Sequence, residues 1–373
     1  MGVSLYLAVV WLVMLVTFRI RLDLPAILAY LRTRGGPAGG GDARPEPSAA
    51  TSPAPSGDTP ERSTGPGRGF ELADWIELFR CPRCGERLSL AGDELACTQT
   101  HRFPVLGGIP RFVGGDAYVR SFSREWNTHR TTQLDSHGAT RISEDTLRTK
   151  TGLSPEDVAG KLVLDAGTGS GRFAEVLARW GARVVGVDLS YAVEAARHNL
   201  ASASNVCIAQ ADIGQLPFAP ATFDAIVSIG VLHHTPDTRR AFEALVPLLA
   251  PGGTIAIWVY PDEGAYKARK PWIPFTSRIP ADAFHDWCAW LVPWTHRHPR
   301  HPLTLFLRVF FPFSRQGLGV EWDVLDTFDG YSPRYHGIHT PTDVIAWFRA
   351  AGLEDVREAG PVHTSVRGVR AST

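Results

Sequence analysis

A short apolar run that ends in an acid and leads into a glycine-rich loop constrains the fold of this chain more than any other feature. The run KLVLD, residues 161–165, precedes a loop that contains Gly167, Gly169 and Gly171. The segment RFAEVLARW, which begins at Arg172, has the 3.6-residue period of an amphipathic helix. Glycine lets the backbone turn sharply and approach a ligand closely. This order predicts a strand, a loop and a helix around a nucleotide site.

The loop differs from the dinucleotide-binding fingerprint at one position. That fingerprint, G-x-G-x-x-G, needs a glycine where this chain has Arg172, and the sequence instead has G-x-G-x-G preceded by Asp165. A tight loop of this kind suits a ligand without phosphate. The carboxylate of Asp165 can attract a positively charged amino group of such a ligand.

Four further apolar runs follow the first one. The run ARVVGVD ends at Asp188, whose carboxylate can accept hydrogen bonds from both hydroxyls of a ribose, and the run NVCIAQA leads to Asp212, placed to accept from an adenine amine. Runs that begin at Phe223 and Gly252 complete the set. Strands that alternate with helices predict an α/β fold with a doubly wound, Rossmann-like sheet. The alternative for either acid is a polar residue that only ends a strand.

Five motifs between Lys161 and Tyr260 resemble, in order, those of class I S-adenosylmethionine-dependent methyltransferases of the UbiE-like, type 11 group. They are LDAGTGSGR, VVGVD, QADIGQLPF, FDAIVSIGVLHHTPD and LLAPGG. The resemblance implies a seven-stranded sheet, S-adenosylmethionine as the cofactor, and methyl transfer. It implies that the glycine loop holds the methionine part, and that Gly230 flanks the sulfonium. The implied cofactor-binding residues are Asp165, Gly167, Thr168, Gly169, Gly171, Asp188, Leu189, Asp212, Ile213 and Gly230.

The acceptor of the methyl group is less constrained by the sequence. An oxygen acceptor benefits from a general base, and His233 and His234 follow the fourth strand, where they could supply one. The alternative is that they only pack at the start of a helix. The Asn/Asp-Pro-Pro-aromatic motif of exocyclic-amine methyltransferases is absent, which disfavours methylation of adenine or of a glutamine side chain.

A long insertion, about 261–323, predicts a lid over the substrate. Within it, residues 264–313 contain seven Lys and Arg against two Asp, and four of the eleven tryptophans. Basic residues interleaved with aromatic ones suit a membrane interface or an amphiphilic anionic substrate, whereas the alternative is that the aromatic residues form the core of the lid. A loop after the insertion is expected to line the acceptor pocket. Its proposed lining residues are Asp326, Phe328, Tyr331, Arg334, Tyr335 and His339.

A Cys-x2-Cys pair, Cys81 and Cys84, and a Cys-x3-His pair, Cys97 and His101, precede this domain. Four such ligands suit a tetrahedral, structural zinc ion, and the alternative is a set of free thiols beside an unrelated histidine. The segment resembles the zinc ribbons that precede some methyltransferase domains or act as separate methyltransferase activators. It is also similar to the zinc module of bacterial 23S rRNA guanine-N1 methyltransferases.

The N-terminal region has no globular character. Residues 3–18 are uncharged and apolar, and arginines follow them, which predicts an uncleaved anchor with the N-terminus outside and the rest on the cytoplasmic face of the membrane. A short buried helix is the alternative. Residues 35–69 lack large apolar side chains, and 16 of these 35 residues are Gly or Pro, so they predict a disordered linker.

These observations predict four regions and one leading function. The regions are an anchor and juxtamembrane segment at 1–34, a linker at 35–69, a zinc ribbon at 70–115 and a methyltransferase domain at 116–373. The leading hypothesis is methyl transfer to a small-molecule or lipid-like acceptor. RNA methylation is an alternative, disfavoured because 38 Lys and Arg balance 38 Asp and Glu. A non-catalytic module that binds S-adenosylmethionine is another. The sequence leaves the oligomeric state open.

Overall fold

The computed structural model describes residues 71–114, 120–138 and 140–372. The predicted anchor and linker, at 1–34 and 35–69, lie outside these residues. In the described part of the chain, no helix is both long enough and apolar enough to cross a membrane.

The N-terminal part, residues 71–114, is called here the Cys/His module. A 3-10 helix at Leu72–Leu78 opens it, and a small antiparallel sheet with the strand order β1-β2-β3-β4 follows. Its strands are β1 (Ser89–Ala91), β2 (Glu94–Ala96), β3 (Arg102–Leu106) and β4 (Ile109–Pro110).

A second sheet has seven strands in the order β10-β11-β9-β8-β5-β6-β7. The strands are β5 (Leu162–Ala166), β6 (Arg183–Asp188), β7 (Val206–Gln210), β8 (Phe223–Ile229), β9 (Leu249–Trp258), β10 (Leu353–Glu358) and β11 (Ser365–Arg370). Strands β5 to β9 pair in parallel, while β11 is antiparallel to both of its neighbours. The structure therefore confirms the predicted α/β fold and its seven-stranded sheet.

Helices connect these strands and form the insertion. In chain order they are α1 (Arg120–Thr128), α2 (Asp135–Gly138), α3 (Ile142–Thr151), α4 (Pro155–Val158), α5 (Arg172–Arg179), α6 (Ala192–Asn199), α7 (Thr238–Leu245), α8 (Gly264–Arg269), α9 (Ile273–Thr276), α10 (Ala281–Arg297), α11 (Pro302–Phe310), α12 (Val320–Tyr331) and α13 (Pro341–Ala350). Thr340 caps α13, because its hydroxyl accepts a hydrogen bond from the Asp343 backbone N–H at 3.2 Å.

Consecutive residues of the central strands belong to two different cores. Val163 and Val184 pack in one apolar cluster with Trp180 of the α5 end, whereas Leu164 and Val185 pack in another. Side chains alternate between the two faces of a strand, so a strand buried on both faces is apolar throughout. This explains why KLVLD and ARVVGVD are nearly continuous apolar runs.

The Cys/His module lies against the edge of the large sheet at β7. The Phe112 backbone N–H donates to the carbonyl oxygen of Gln210 at 2.8 Å, and the Arg80 N–H donates to that of Pro217 at 2.8 Å. The ring of Phe79 packs 5.5 Å from that of Phe218. Because an uncovered edge strand exposes unpaired backbone groups, the module protects β7 and extends the core of the domain.

The insertion differs from the expected lid in two ways. Most of its large aromatic residues, such as Trp272, Trp287 and Phe311, are buried and form its own core, while Trp290 is 47% exposed. The first part of the expected acceptor loop, residues 326–331, instead belongs to the helix α12. Phe328 and Tyr331 were wrongly predicted to line the acceptor pocket, because both are fully buried in that core.

Candidate functional site

A cavity of about 540 Å³ opens at the carboxyl ends of the parallel strands and extends under the insertion. This is the edge at which open α/β sheets bind ligands. The sequence-predicted residues that line it are Gly167, Thr168, Gly169, Asp188, Leu189, Asp212, Ile213, Gly230 and His234. The predicted cofactor and catalytic residues Asp165, Gly171 and His233 do not line it, nor do Arg334, Tyr335 and His339 of the expected acceptor loop.

The glycine loop is closely packed on both sides. A Cβ atom at Gly167, where φ is 88°, would lie 2.3 Å from both methyl carbons of Val231, so only glycine fits there. Asp165 is buried beneath the loop and accepts a hydrogen bond from the Thr168 hydroxyl at 2.8 Å. Burial raises the pKa of Asp165 to about 7. The role of Asp165 in the structure is therefore to position the loop rather than to line the cavity.

Asp188 connects the loop to the next strand. One carboxylate oxygen accepts a hydrogen bond from the Gly169 backbone N–H at 3.0 Å, and the other accepts two from Ser190 at 2.7 and 2.8 Å. Burial raises the pKa of Asp188, and these hydrogen bonds oppose the rise. The carboxylate also lines the cavity at the end of β6, where it can accept hydrogen bonds from a ligand.

The helix α1 covers the part of the cavity that the glycine loop and Asp188 line, which is called here the cofactor half. Trp126 packs on the glycine loop, since a Cβ atom at Gly169 would lie 3.3 Å from the indole ring. Phe122 and Glu125 line the cavity from the same helix. The family resemblance implies that the segment ahead of the first strand, residues 121–127, covers the cofactor, but it does not single out Glu125.

The other half of the cavity, called here the acceptor half, is formed by the end of β9, by α3 and by the insertion. Trp322, Asp326 and Asp329 of α12 line it at helical spacing, together with Lys150 and Tyr260. The Lys150 ammonium lies 3.1 Å from the centroid of the Trp258 ring. Burial lowers the pKa of Lys150 to about 7 and raises those of Asp326 and Asp329 to about 6. This half of the cavity therefore holds several groups that can exchange protons near neutral pH.

The two predicted histidines have different surroundings. His233 is fully buried, its ring stacks on Tyr260 with centroids 3.6 Å apart, and its Nδ1 accepts the Tyr260 backbone N–H at 3.3 Å. His234 is also buried but lines the cavity. Burial lowers the pKa of His233 well below its usual value and that of His234 to about 4, so both imidazoles are neutral. Of the pair, His234 is the one placed to contact a ligand in the cavity.

The four predicted metal ligands converge on one point in the Cys/His module. Their ligand atoms all lie within 4.8 Å of one another. The Sγ atoms of Cys84 and Cys97 are 3.7 Å apart, and His101 Nδ1 lies 3.4 Å from the Sγ atoms of Cys81 and Cys97. A tetrahedral ion with bonds of about 2.3 Å to sulfur and 2.0 Å to nitrogen requires separations of roughly 3.8 and 3.6 Å. The donor set therefore fits zinc.

Comparison with known proteins finds similarity in the central part of the chain. Residues 164–257 match the family described as a methyltransferase domain. The chain is 37% identical over 108 residues to a ubiquinone biosynthesis O-methyltransferase of Chromobacterium violaceum, a match that covers 28% of this chain and 44% of that protein. It is 37% identical over 102 residues to a demethylmenaquinone methyltransferase of Thermobifida fusca, a match that covers 26% of this chain and 43% of that protein. The chain spans less than half the length of these two relatives.

Among solved structures, a SAM-dependent methyltransferase from Aquifex aeolicus is 15% identical and has a TM-score of 0.37, with 66% of this chain and 96% of that chain covered. The family match extends from β5 to β9 and includes the glycine loop, Asp188, Asp212 and Gly230. In this central segment the chain is therefore similar to methyltransferase domains.

Proposed function

We propose that the protein transfers the methyl group of S-adenosylmethionine to an oxygen atom of a small-molecule or lipid-like acceptor. One observation carries the proposal: a single cavity joins the predicted cofactor residues to a second set of polar and aromatic side chains from α12 and β9. An oxygen acceptor is also supported by the first relative, which is named an O-methyltransferase.

The residues of the cofactor half would bind and orient S-adenosylmethionine. Asp188 would accept hydrogen bonds from the ribose hydroxyls, and Asp212 and Ile213 would frame the adenine. The glycine loop would hold the methionine part. The cofactor supplies an activated methyl carbon, so positioning of the acceptor supplies much of the rate acceleration. Trp126 would help to exclude water from the bound cofactor.

Transfer of labelled methyl groups tests this function. The full chain in detergent is incubated with methyl-labelled S-adenosylmethionine and an extract of bacterial cells, and the label is then followed into organic solvent, aqueous small molecules and RNA. We expect label in the organic or small-molecule fraction. Label found only in RNA would favour the alternative in which the Cys/His module contributes to RNA recognition. Cofactor binding without any transfer would favour a non-catalytic module.

We further propose that the Cys/His module holds one structural zinc ion through Cys81, Cys84, Cys97 and His101. The matching separations of the ligand atoms support this proposal. Four protein ligands fill a tetrahedral shell, which leaves no position for a reacting water molecule. The ion would stabilise the module against the edge of the large sheet rather than take part in methyl transfer.

We also propose that the protein is attached to the cytoplasmic face of a membrane. The apolar run at residues 3–18 supports this, and so does an exposed surface of the insertion. Trp290 of α10 is 47% exposed and Val309 of α11 is 71% exposed. The same two helices and the segment between them carry the exposed cations Arg297, Arg300 and Arg308. Exposed aromatic and aliphatic side chains beside cations suit an anionic lipid surface.

Charges placed in the apolar run test the attachment. The double substitution of Val9 and Val13 by aspartate is expected to release the protein from membranes, because each acid costs about 2.5–3.5 kcal/mol at the centre of a spanning helix. Sedimentation of membranes from expressing cells measures the bound fraction. The matched control places aspartate at Ala49 and Ala54, in the predicted linker. Equal membrane binding by both variants would contradict the anchor.

A further inference from the structure

The helix α12 presents one face to the acceptor half of the cavity. Trp322, Asp326 and Asp329 follow one another at spacings of four and three residues, so they share a helix face. Asp326 is hydrogen-bonded to the side chain of Gln316. Asp329 is the acid on this face that lies closest to His234, and the sequence did not mark it as a site residue.

The tautomer of His234 follows from its backbone partner. Its Nδ1 lies 3.0 Å from the carbonyl oxygen of Tyr335. A carbonyl oxygen can only accept, so Nδ1 carries the proton. In the neutral imidazole the lone pair is therefore on Nε2, which has no hydrogen-bond partner among the described residues. His234, a residue of the cavity lining, consequently has a buried acceptor atom without a partner among the described residues.

The Tyr260 hydroxyl holds the Asp329 carboxylate in place. Asp329 Oδ2 accepts a hydrogen bond from the Tyr260 hydroxyl at 2.8 Å, and Asp329 Oδ1 lies 3.9 Å from His234 Nε2. The side chain is 25% exposed, so the carboxylate is open to the cavity. Two acceptor atoms thus face each other at a separation too long for a direct hydrogen bond, and neither supplies a proton to the other.

Glu125 lines the same cavity from the helix α1. It is fully buried, and neither carboxylate oxygen has a hydrogen-bond partner among the described residues. Asp329, Asp326 and Asp188 act on it as like charges, and burial together with these acids raises its pKa well above the usual value. Three carboxyl groups, those of Glu125, Asp326 and Asp329, therefore line this part of the cavity.

The two cations near Asp329, Arg269 and Lys150, make their closest described contacts with other groups. Arg269 donates through Nε to the carbonyl oxygen of Pro312 at 3.3 Å, and Lys150 packs on the Trp258 ring. Burial raises the pKa of Asp329 to about 6, whereas the Tyr260 hydrogen bond, Arg269 and Lys150 oppose that rise. Asp329 is therefore largely ionised at neutral pH. It is a stronger base than His234, whose pKa is about 4.

We propose that Asp329 accepts the proton of the methyl acceptor, and that this acceptor presents two adjacent hydrogen-bond donors, a hydroxyl to Asp329 Oδ1 and a second hydroxyl or an amine to His234 Nε2. The proposal rests on the proposed methyl transfer and specifies its substrate class. The hydroxyl oxygen forms a bond to the methyl carbon, the carbon–sulfur bond breaks to leave S-adenosylhomocysteine, and the hydroxyl proton moves to Asp329. Tyr260 is a positioning residue that holds the carboxylate.

Binding of small probes tests the substrate class. Catechol, 2-aminophenol, phenol and 1,2-dimethoxybenzene are titrated into the full chain saturated with S-adenosylhomocysteine, and tryptophan fluorescence reports binding, because Trp258 and Trp322 line the cavity. We expect at least one of the two-donor probes to bind about two- to tenfold more tightly than phenol, since a hydrogen bond to the neutral His234 imidazole is worth about 0.5–1.5 kcal/mol, and more tightly still than 1,2-dimethoxybenzene, which has no donor. A preference for catechol identifies a diol, and one for 2-aminophenol identifies an amino alcohol. Equal binding of all four probes, or binding of none, overturns the proposal.

Substitution of Asp329 tests the proton transfer. Asp329→Asn is expected to abolish the preference for two-donor probes and to lower kcat for methylation of the preferred probe by about 100-fold or more. The affinity for S-adenosylmethionine should be unchanged. The matched control is Asp286→Asn, an exposed acid on α10 that does not line the cavity. Full activity of Asp329→Asn refutes the proton-transfer step. It is also refuted if the wild-type chain binds the preferred probe but does not methylate it at any pH.

The pH profile separates this role from a structural one. Wild-type kcat/KM should rise with pH through an apparent pKa near 6, because the ionised form of Asp329 is the active one. Tyr260→Phe removes a hydrogen bond that favours the ionised form, so the rise should move to higher pH. An unmoved profile contradicts the assignment. If the wild-type chain neither binds S-adenosylmethionine nor methylates any fraction of a cell extract, the proposed function itself fails, which is a separate result.

Discussion

Replacing Asp188 with alanine is expected to weaken the binding of S-adenosylmethionine by about 100-fold or more. The carboxylate lies at the end of β6, lines the cavity and is positioned by hydrogen bonds from Gly169 and Ser190. Two hydrogen bonds from ribose hydroxyls to a charged acceptor are worth about 3 kcal/mol or more together, and each 1.4 kcal/mol is a tenfold change in affinity. Isothermal titration calorimetry with the purified full chain measures the loss.

S-adenosylhomocysteine distinguishes a ribose contact from a contact with the sulfonium. Because the two ligands share the ribose, Asp188→Ala should weaken both by similar factors. The matched control is Asp224→Ala, since Asp224 is an exposed acid on β8 that accepts a hydrogen bond from the Leu162 N–H at 2.8 Å and does not line the cavity. Thermal unfolding of both variants checks that they remain folded. Unchanged affinity in Asp188→Ala contradicts the ribose assignment.

Replacing Cys81 with serine is expected to remove zinc from the protein and to lower its melting temperature by roughly 10 °C. A structural zinc ion contributes on the order of 10 kcal/mol to the folding of a small module. Cys81 is buried beside Phe79, and both belong to the apolar cluster that the module shares with the large sheet. Loss of the ion would loosen that cluster and uncover the edge strand β7. A loss of several kcal/mol in the free energy of unfolding gives this fall in melting temperature, at about 2–4 °C per kcal/mol for a domain of this size.

Metal analysis and calorimetry measure these two effects. Inductively coupled plasma mass spectrometry should find one zinc per wild-type chain and almost none in Cys81→Ser, and a strong chelator should reproduce the lower melting temperature. Cys288→Ala is the matched control, because Cys288 is a buried free thiol in α10, away from the proposed site. Its zinc content should stay at one per chain. A wild-type protein without bound metal would refute the site.

Much of the cofactor half could be predicted from the sequence, for a local physical reason. In a parallel sheet, the residue after each strand lies at the same edge as the residues after its neighbours. The loop with Gly167 and Gly169, and the acids Asp188 and Asp212, therefore had to converge once the strands were recognised. The steric limit at Gly167 is set by its own backbone and by Val231, which follows β8, the strand next to β5 in the sheet.

The acceptor half could not be predicted in the same way. The segment DTFDGY contains acids and aromatic residues in equal measure, and its composition does not say which of them face a cavity. In the folded chain, Phe328 and Tyr331 pack into the core of the insertion, and Asp326 and Asp329 of the same helix face the cavity. The rotation of α12 decides this, and it depends on packing against α10.

The sequence by itself determined the sheet, the glycine loop and the spacing of the metal ligands, because these features depend on short-range patterns of residue type. Only the tertiary structure distinguished His233, which stacks on Tyr260, from His234, which lies at the cavity. Only the tertiary structure brought Asp329 to within 3.9 Å of His234, across 95 residues of chain. Such contacts arise from the packing of a long insertion onto the sheet, and no local pattern in the sequence records how distant segments pack.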